Sequence, residues 1–159
     1  MDQIFVHPNP LLRSVGLQVK ITPGLLPKIR KMFKLMYAGH GIGLAAIQVG
    51  WQAQVFVMDT QIGEPLAFIN PVLLEVSPDT ETGEEGCLSF PGETVDKDGL
   101  RVLVRRPRFV AIEADTISCT GRSPKMKHVI HRLDGLEARV AQHEFDHLFG
   151  ILMIDRTEK

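Results

Sequence analysis

The chain has 159 residues, enough for one domain with a sizeable apolar interior. Hydrophobic residues make up 44 % and charged residues 23 %, which excludes a disordered polymer, and the net charge of -1 excludes a global pull toward nucleic acid or anionic lipid. The opening Met1-Asp2-Gln3-Ile4-Phe5 has neither the order of a secretory signal nor the bias of a transit peptide, and no apolar run reaches membrane-spanning length. A single domain, residues 1–159, without a membrane partner or direct nucleic-acid contact is therefore expected. Cys87 and Cys119 make no disulfide framework and fit a reducing compartment.

Pro8 and Pro10 bracket a turn. From Pro23 the apolar residues Leu25, Leu26, Ile29, Met32, Phe33 and Met36 recur at helical spacing, and Gly39 marks the stop. The basic clusters at 28–34 and 101–108 read as solvated faces of a helix and a strand. Strands are expected at 54–58, at 66–69 (ended by Asn70-Pro71) and at 72–76, and a pair of strands at 101–105 and 109–114 around Pro107. The polar stretch 118–131, with Gly121 and Pro124, reads as a loop. A last helix begins near Leu133 or Asp134 and runs to Phe149, before Gly150. Strands followed by one late helix imply an α+β fold.

That last helix carries His143-Glu144-Phe145-Asp146-His147. Residues four apart share one helical face, so both imidazoles reach a single ion, while Glu144 is turned about a quarter circle away. A divalent ion lowers the pKa of bound water toward about 7, and an adjacent carboxylate can take that proton and return it. His7, His40, His128 and His131 read instead as satisfied core residues. A third ligand does not lie downstream: the later carboxylates offer no second helix, and Met153 stands where a third histidine would complete an extended motif. Upstream, Cys87 in Glu85-Gly86-Cys87-Leu88-Ser89 is the stronger candidate and Cys119 the second. A thiolate suits zinc or ferrous iron, and a Cys/His/His set leaves one position open. Gln48, alone in the apolar run after Gly41-Ile42-Gly43, is either a satisfied buried amide or a donor aimed at an oxyanion.

Taken in order, Gly41 to Gln48, Glu85 to Ser89 and Gln142 to His147 resemble the three signature segments of peptide deformylases. His7-Pro8-Asn9-Pro10-Leu11-Leu12-Arg13, Asn70-Pro71 and Ala138-Arg139-Val140 extend the likeness over nearly the whole chain. The resemblance implies removal of the formyl group from N-formylmethionine on nascent chains, with Cys87, His143 and His147 as metal ligands. It implies Fe(II) as the native ion, with zinc, nickel or cobalt able to occupy the site. By the same likeness, Glu144 is the general base and acid. Gln48 and the Leu88 backbone N–H meet the oxyanion, and Ile42, Gly43, Leu136 and Val140 line the methionine pocket.

The chain departs from the family pattern in several places. Ile47 replaces a common proline or threonine, the segments 93–105 and 118–131 look long, and no family cation stands near Thr94. The sequence ends at Lys159 without the C-terminal helix by which some bacterial members dock on the ribosome, although transient ribosome contact stays an expectation. The likeness places the protein in a bacterial cytoplasm, in a virus-infected cell or in an organelle, and fixes no oligomeric state. Two other readings remain: a related amidase or peptidase with altered preference, and an idle relative kept as a binding module.

Overall fold

The computed structural model describes residues 1–92, 99–118 and 125–157. In chain order the elements are α1 (Leu25–Ala38), β1 (Gly43–Ala45), β2 (Val55–Met58), β3 (Leu66–Val76), β4 (Thr80–Gly86), β5 (Arg101–Pro107), β6 (Phe109–Ser118), β7 (Lys125–Asp134) and α2 (Gly135–His147). Short 3-10 turns occupy Pro10–Arg13, Ala46–Val49 and Met153–Asp155. The strands form a five-stranded antiparallel sheet of order β1-β2-β3-β6-β7 and a separate β4-β5 pair. This is an α+β fold.

Each helix covers one face of the larger sheet, and strand alternation assigns the side chains. On β2, Val55 and Val57 join Ile29, Met32 and Met36 of α1, while Phe56 and Met58 join Ala138, Val140 and Ala141 of α2. A strand buried on both faces reads as an unbroken apolar run, which is why residues 54–58 are recognisable without alternation. Phe56 stacks on Phe68 with ring centroids 4.6 Å apart. A third cluster (Leu12, Phe90, Leu152, Met153) packs against Cys87 and Val102 and ties both ends of the chain to the cysteine segment. Gly150 turns the chain out of α2 at φ +70°, where a Cβ would stand 2.5 Å from the Arg13 carbonyl oxygen. Only glycine fits both demands.

Several expectations are corrected. Residues 66–76 form one strand, not two: Asn70 (φ +50°) and Pro71 sit at a register shift against β6, and a bulge is where a strand tolerates proline. The strands around Pro107 do not pair together, because the chain changes sheets there; β5 pairs with β4, and β6 with β3 and β7. The expected loop 118–131 contains most of β7, an edge strand whose side chains are mainly exposed, so it lacks the apolar alternation that would reveal it. Residues 119–124, including Cys119, and residues 93–98, including Thr94, lie outside the described residues. His7, His40 and His128 are exposed rather than core residues, and only His131 is half-buried. In the basic cluster 101–108, Arg106 points inward and is 4 % exposed.

His128 on β7 lies between Asp115 Oδ1 at 3.0 Å and Glu113 Oε1 at 3.2 Å. Hydrogen bonds donated by its ring to these carboxylates, Asp115 first, raise its pKa above the usual 6.5. The raised value means that the protonated pairing stabilises the hairpin fully below 6.5 and fades as pH climbs through the folded pKa. His128→Gln is expected to lower the thermal midpoint slightly at about pH 6 and to leave it unchanged at about pH 9. Equal shifts at both pH values would contradict this reading.

Candidate metal centre and cleft

Helix α2 begins after Asp134, with Glu137 in its first turn facing the positive end of the helix dipole. One face presents His143 and His147 inward. Strand β4 ends at Gly86, and the next residue, Cys87, opens a turn closed by Phe90 N–H on the Cys87 carbonyl oxygen at 2.9 Å. The turn's own hydrogen bond leaves the Leu88 N–H unused by the turn. Cys87 Sγ lies 3.3 Å from His147 Nε2, which lies 3.2 Å from His143 Nε2. All three donor atoms fall within 4.8 Å of one another.

This set fits a cation. Donors about 2.0–2.3 Å from one ion stand roughly 3.3–3.6 Å apart at tetrahedral angles, close to the spacing seen. Burial, together with the neighbouring His143 charge, holds the His147 pKa well below 6.5, in the neutral form that a ligand needs. At His143, burial opposes protonation, but hydrogen bonds to Cys87 and Glu85 outweigh it and raise the pKa to about 10. A cation on Nε2 would take the place of that proton, with Nδ1–H still donating to Glu85 Oε2, 2.9 Å away.

The other predicted residues gather at one cleft of about 740 Å³, lined by Ile42, Gly43, Gln48, Cys87, Leu88, Leu136, Val140, His143 and Glu144. His147, 1 % exposed, is not part of that lining. Gln48 accepts from Ala45 N–H at 2.8 Å, and its Nε2 donates to Ser89 Oγ at 3.0 Å and to Cys87 Sγ at 3.3 Å. Its donor end therefore faces the Cys87 sulfur. Glu144 is 4 % exposed and its Oε2 has no hydrogen-bond partner among the described residues. Burial raises its pKa to about 7 against the pull of the His143 charge, which suits a group that must both take and give a proton. A Cβ on Gly43 would stand 2.3 Å from Glu144 Oε1, so glycine is what admits the carboxylate. Gly43→Ala is expected to cut turnover by at least about tenfold with the fold retained, because it displaces the buried Glu144 carboxylate. Unchanged turnover in that variant would show that the close approach is irrelevant.

Residue-level sequence reasoning missed the support behind the ligands. Glu85 is buried and accepts from Arg106 Nε at 2.9 Å, Arg106 Nη2 at 3.0 Å, Arg139 Nη1 at 3.0 Å and His143. Arg106 also donates to Asp146, which Arg156 holds from the other side at 2.7 Å. Burial pushes the Glu85 pKa up, but the hydrogen bonds from His143 and Arg106 bring it down to about 2. A signal was present: Val102, Val104 and Arg106 share one strand parity, which puts Arg106 on the apolar side of β5. Arg101 pairs in register with Gly86 and lines the cleft.

The family model described as polypeptide deformylase matches residues 1–159. The chain belongs to the polypeptide deformylase family. The peptide deformylase of Thermotoga maritima is 42 % identical over 158 residues, covering 98 % of this chain and 87 % of that protein. The crystal structure of the deformylase from that organism superposes with a TM-score of 0.85 at 40 % identity, over 100 % of this chain and 99 % of that one. A Synechococcus elongatus peptide deformylase in complex with actinonin gives a TM-score of 0.82 at 36 % identity, over 99 % and 80 % of the two chains. The chloroplastic peptide deformylase 1B of Oryza sativa is 39 % identical over 159 residues, covering 97 % of this chain and 54 % of that protein. Relatives of this deformylase chain thus include bacterial and chloroplast proteins, and among its described residues no helix is long and apolar enough to cross a membrane.

Proposed function

We infer that this chain, working as one catalytic domain, is a metal-dependent peptide deformylase that hydrolyses the N-formyl group from N-formylmethionine on newly made polypeptides. The observation that carries this reading is the Cys87–His143–His147 donor set, within 4.8 Å, beside the buried Glu144 at a cleft wide enough for a peptide end. When bound, the ion supplies an acidified water and a positive charge near the formyl oxygen. Fe(II) is the native ion in this reading, and zinc, nickel or cobalt suit the same thiolate and imidazole donors.

The remaining chemistry belongs to the chain. Glu144 Oε2, without a hydrogen-bond partner among the described residues, takes a proton from the attacking water and returns it to the departing amine nitrogen. The C–N bond then breaks to formate and a free α-amine. Gln48 Nε2 and the Leu88 N–H stabilise the negative charge that develops on the formyl oxygen. Ile42, Gly43, Leu136 and Val140 accept the methionine side chain. β1 is the end strand of its sheet and β4 pairs only with β5 among the described residues, so both cleft walls offer free strand edges to an extended peptide. Arg101 adds a cation where the peptide leaves the cleft. The compartment is one where translation starts with formylmethionine, the bacterial cytoplasm or an organelle.

The test is hydrolysis of formyl-Met-Ala-Ser by purified protein, read as formate release, beside the unformylated peptide. Activity on the formylated peptide alone is expected. Cleavage of the unformylated peptide with no formate release would replace this reading with that of a peptidase.

A further inference from the structure

We propose that a second pocket, behind α2, binds a small organic monoanion, a carboxylate on a short aliphatic body. The pocket has a volume of about 200 Å³ and shares no lining residue with the cleft. Helix geometry turns its Gln142 and Phe145 away from Val140 and Glu144, which line the cleft. The other walls come from the ends of β3 and β5 and from Asp146 and Arg156. No step of the hydrolysis uses this space.

Charge selects the sign of the guest. Arg105, Arg106 and Arg156 line the pocket beside a single carboxylate, Asp146. Among the described residues, Arg106, Arg139 and Arg156 pair with two carboxylates, Glu85 and Asp146. The network is thus short of negative charge where it leaves water, on a chain whose net charge is -1. Arg106 is 4 % exposed and the Arg156 side chain 46 %, so a guest meets cations from the enclosed end to the open one. Arg156 gives Nε and Nη2 to Asp146 at 3.1 and 2.7 Å, which leaves its Nη1 hydrogens to face a guest. The same pairing shows that these guanidinium groups already clasp a carboxylate.

The walls select the kind of anion. Leu73 and Val76 are 37 % and 43 % exposed, and with Phe145 they offer apolar contact that an inorganic anion cannot use. Desolvation grows with the square of the charge while attraction to the arginines grows only linearly, so a partly enclosed pocket favours a monoanion over a phosphate dianion. The volume falls below the ~300 Å³ of an ordinary small-molecule site, which limits the guest to a short chain. An occupant sits behind the metal donors: Asp146 precedes His147, and Arg106 reaches His143 through Glu85.

The holoenzyme is titrated by calorimetry with hexanoate and, separately, with acetate and inorganic phosphate. Hexanoate is expected to saturate one site with a Kd near or below about 1 mM. Acetate, which lacks the aliphatic body, and phosphate are expected to bind at least about tenfold more weakly. Val76→Trp fills the pocket from an exposed strand position and is expected to weaken hexanoate at least about tenfold. Arg105→Gln removes one cation and is expected to weaken it about three- to tenfold. Thermal midpoints without ligand stay near wild type in both variants, which reports an intact fold independently of the proposed activity. A carboxylate held at the cleft ion would be untouched by either substitution, so equal hexanoate affinity in wild type and both variants would overturn the proposal. Phosphate binding as tightly as hexanoate, or no saturable hexanoate binding at millimolar concentration, would overturn it as well.

Discussion

Glu144→Ala is expected to lower kcat on formyl-Met-Ala-Ser by about 10²–10⁴-fold while the protein still holds one ion. Glu144 is not in the donor set; its neighbours His143 and, four positions on, His147 are, so its loss leaves the ligands in place. What disappears is the one buried carboxylate oxygen in the cleft without a hydrogen-bond partner among the described residues, and with it the path for the proton between water and amine. KM changes little in this account, because Glu144 handles the proton and does not hold the methionine side chain. Glu144→Gln separates shape from protonation: it preserves volume against Gly43 but cannot take a proton, so its kcat falls with that of the alanine variant. Activity within about tenfold of wild type in both variants would remove Glu144 from the chemistry.

Glu85→Gln is expected to cost about 3–5 kcal/mol of stability and to weaken ion binding about 10–100-fold. The Glu85 carboxylate accepts from Arg106, Arg139 and His143 at 2.9–3.0 Å, and Arg106 is 4 % exposed. A glutamine presents amide hydrogens to those donors and removes the charge that balances Arg106, while His143 loses the group that orients it. The pH dependence follows the depressed pKa. Glu85, held down to about 2 from 4.5, stabilises the fold fully above its unfolded value, and this contribution is lost as pH falls from 4.5 toward 2. Denaturant titrations at neutral and acid pH, with a competing chelator for the ion, measure both effects. An unchanged midpoint in Glu85→Gln would mean that the network is incidental.

Local periodicity carried the legible part of this molecule. His143 and His147 are readable as a ligand pair because helix geometry alone places residues four apart together, and α1 is readable from its apolar stripe. The third donor was not readable in that way. Residue chemistry left Cys87 and Cys119 both open, and only the likeness of three ordered segments chose between them. Glu85 meets His143 across 58 positions and Arg106 across 21, so their pairing depends on how β4, β5 and α2 converge, which no local pattern encodes. β7 escaped notice for a different reason. An edge strand buries little, and Leu133 is its one buried side chain, so tertiary pairing with β6 rather than its own composition makes it a strand. Asn70-Pro71 carries the marks of a strand end, yet the bulge lets the ladder with β6 resume at Val72.

The account turns on a sulfur and two imidazoles sharing one ion. X-ray absorption on protein purified without oxygen reads that shell directly. The expected result is one ion per chain with one sulfur near about 2.3 Å and two imidazole nitrogens near about 2.0–2.1 Å, the sulfur disappearing in Cys87→Ala. A shell without sulfur, or a sulfur that persists in Cys87→Ala, would contradict it.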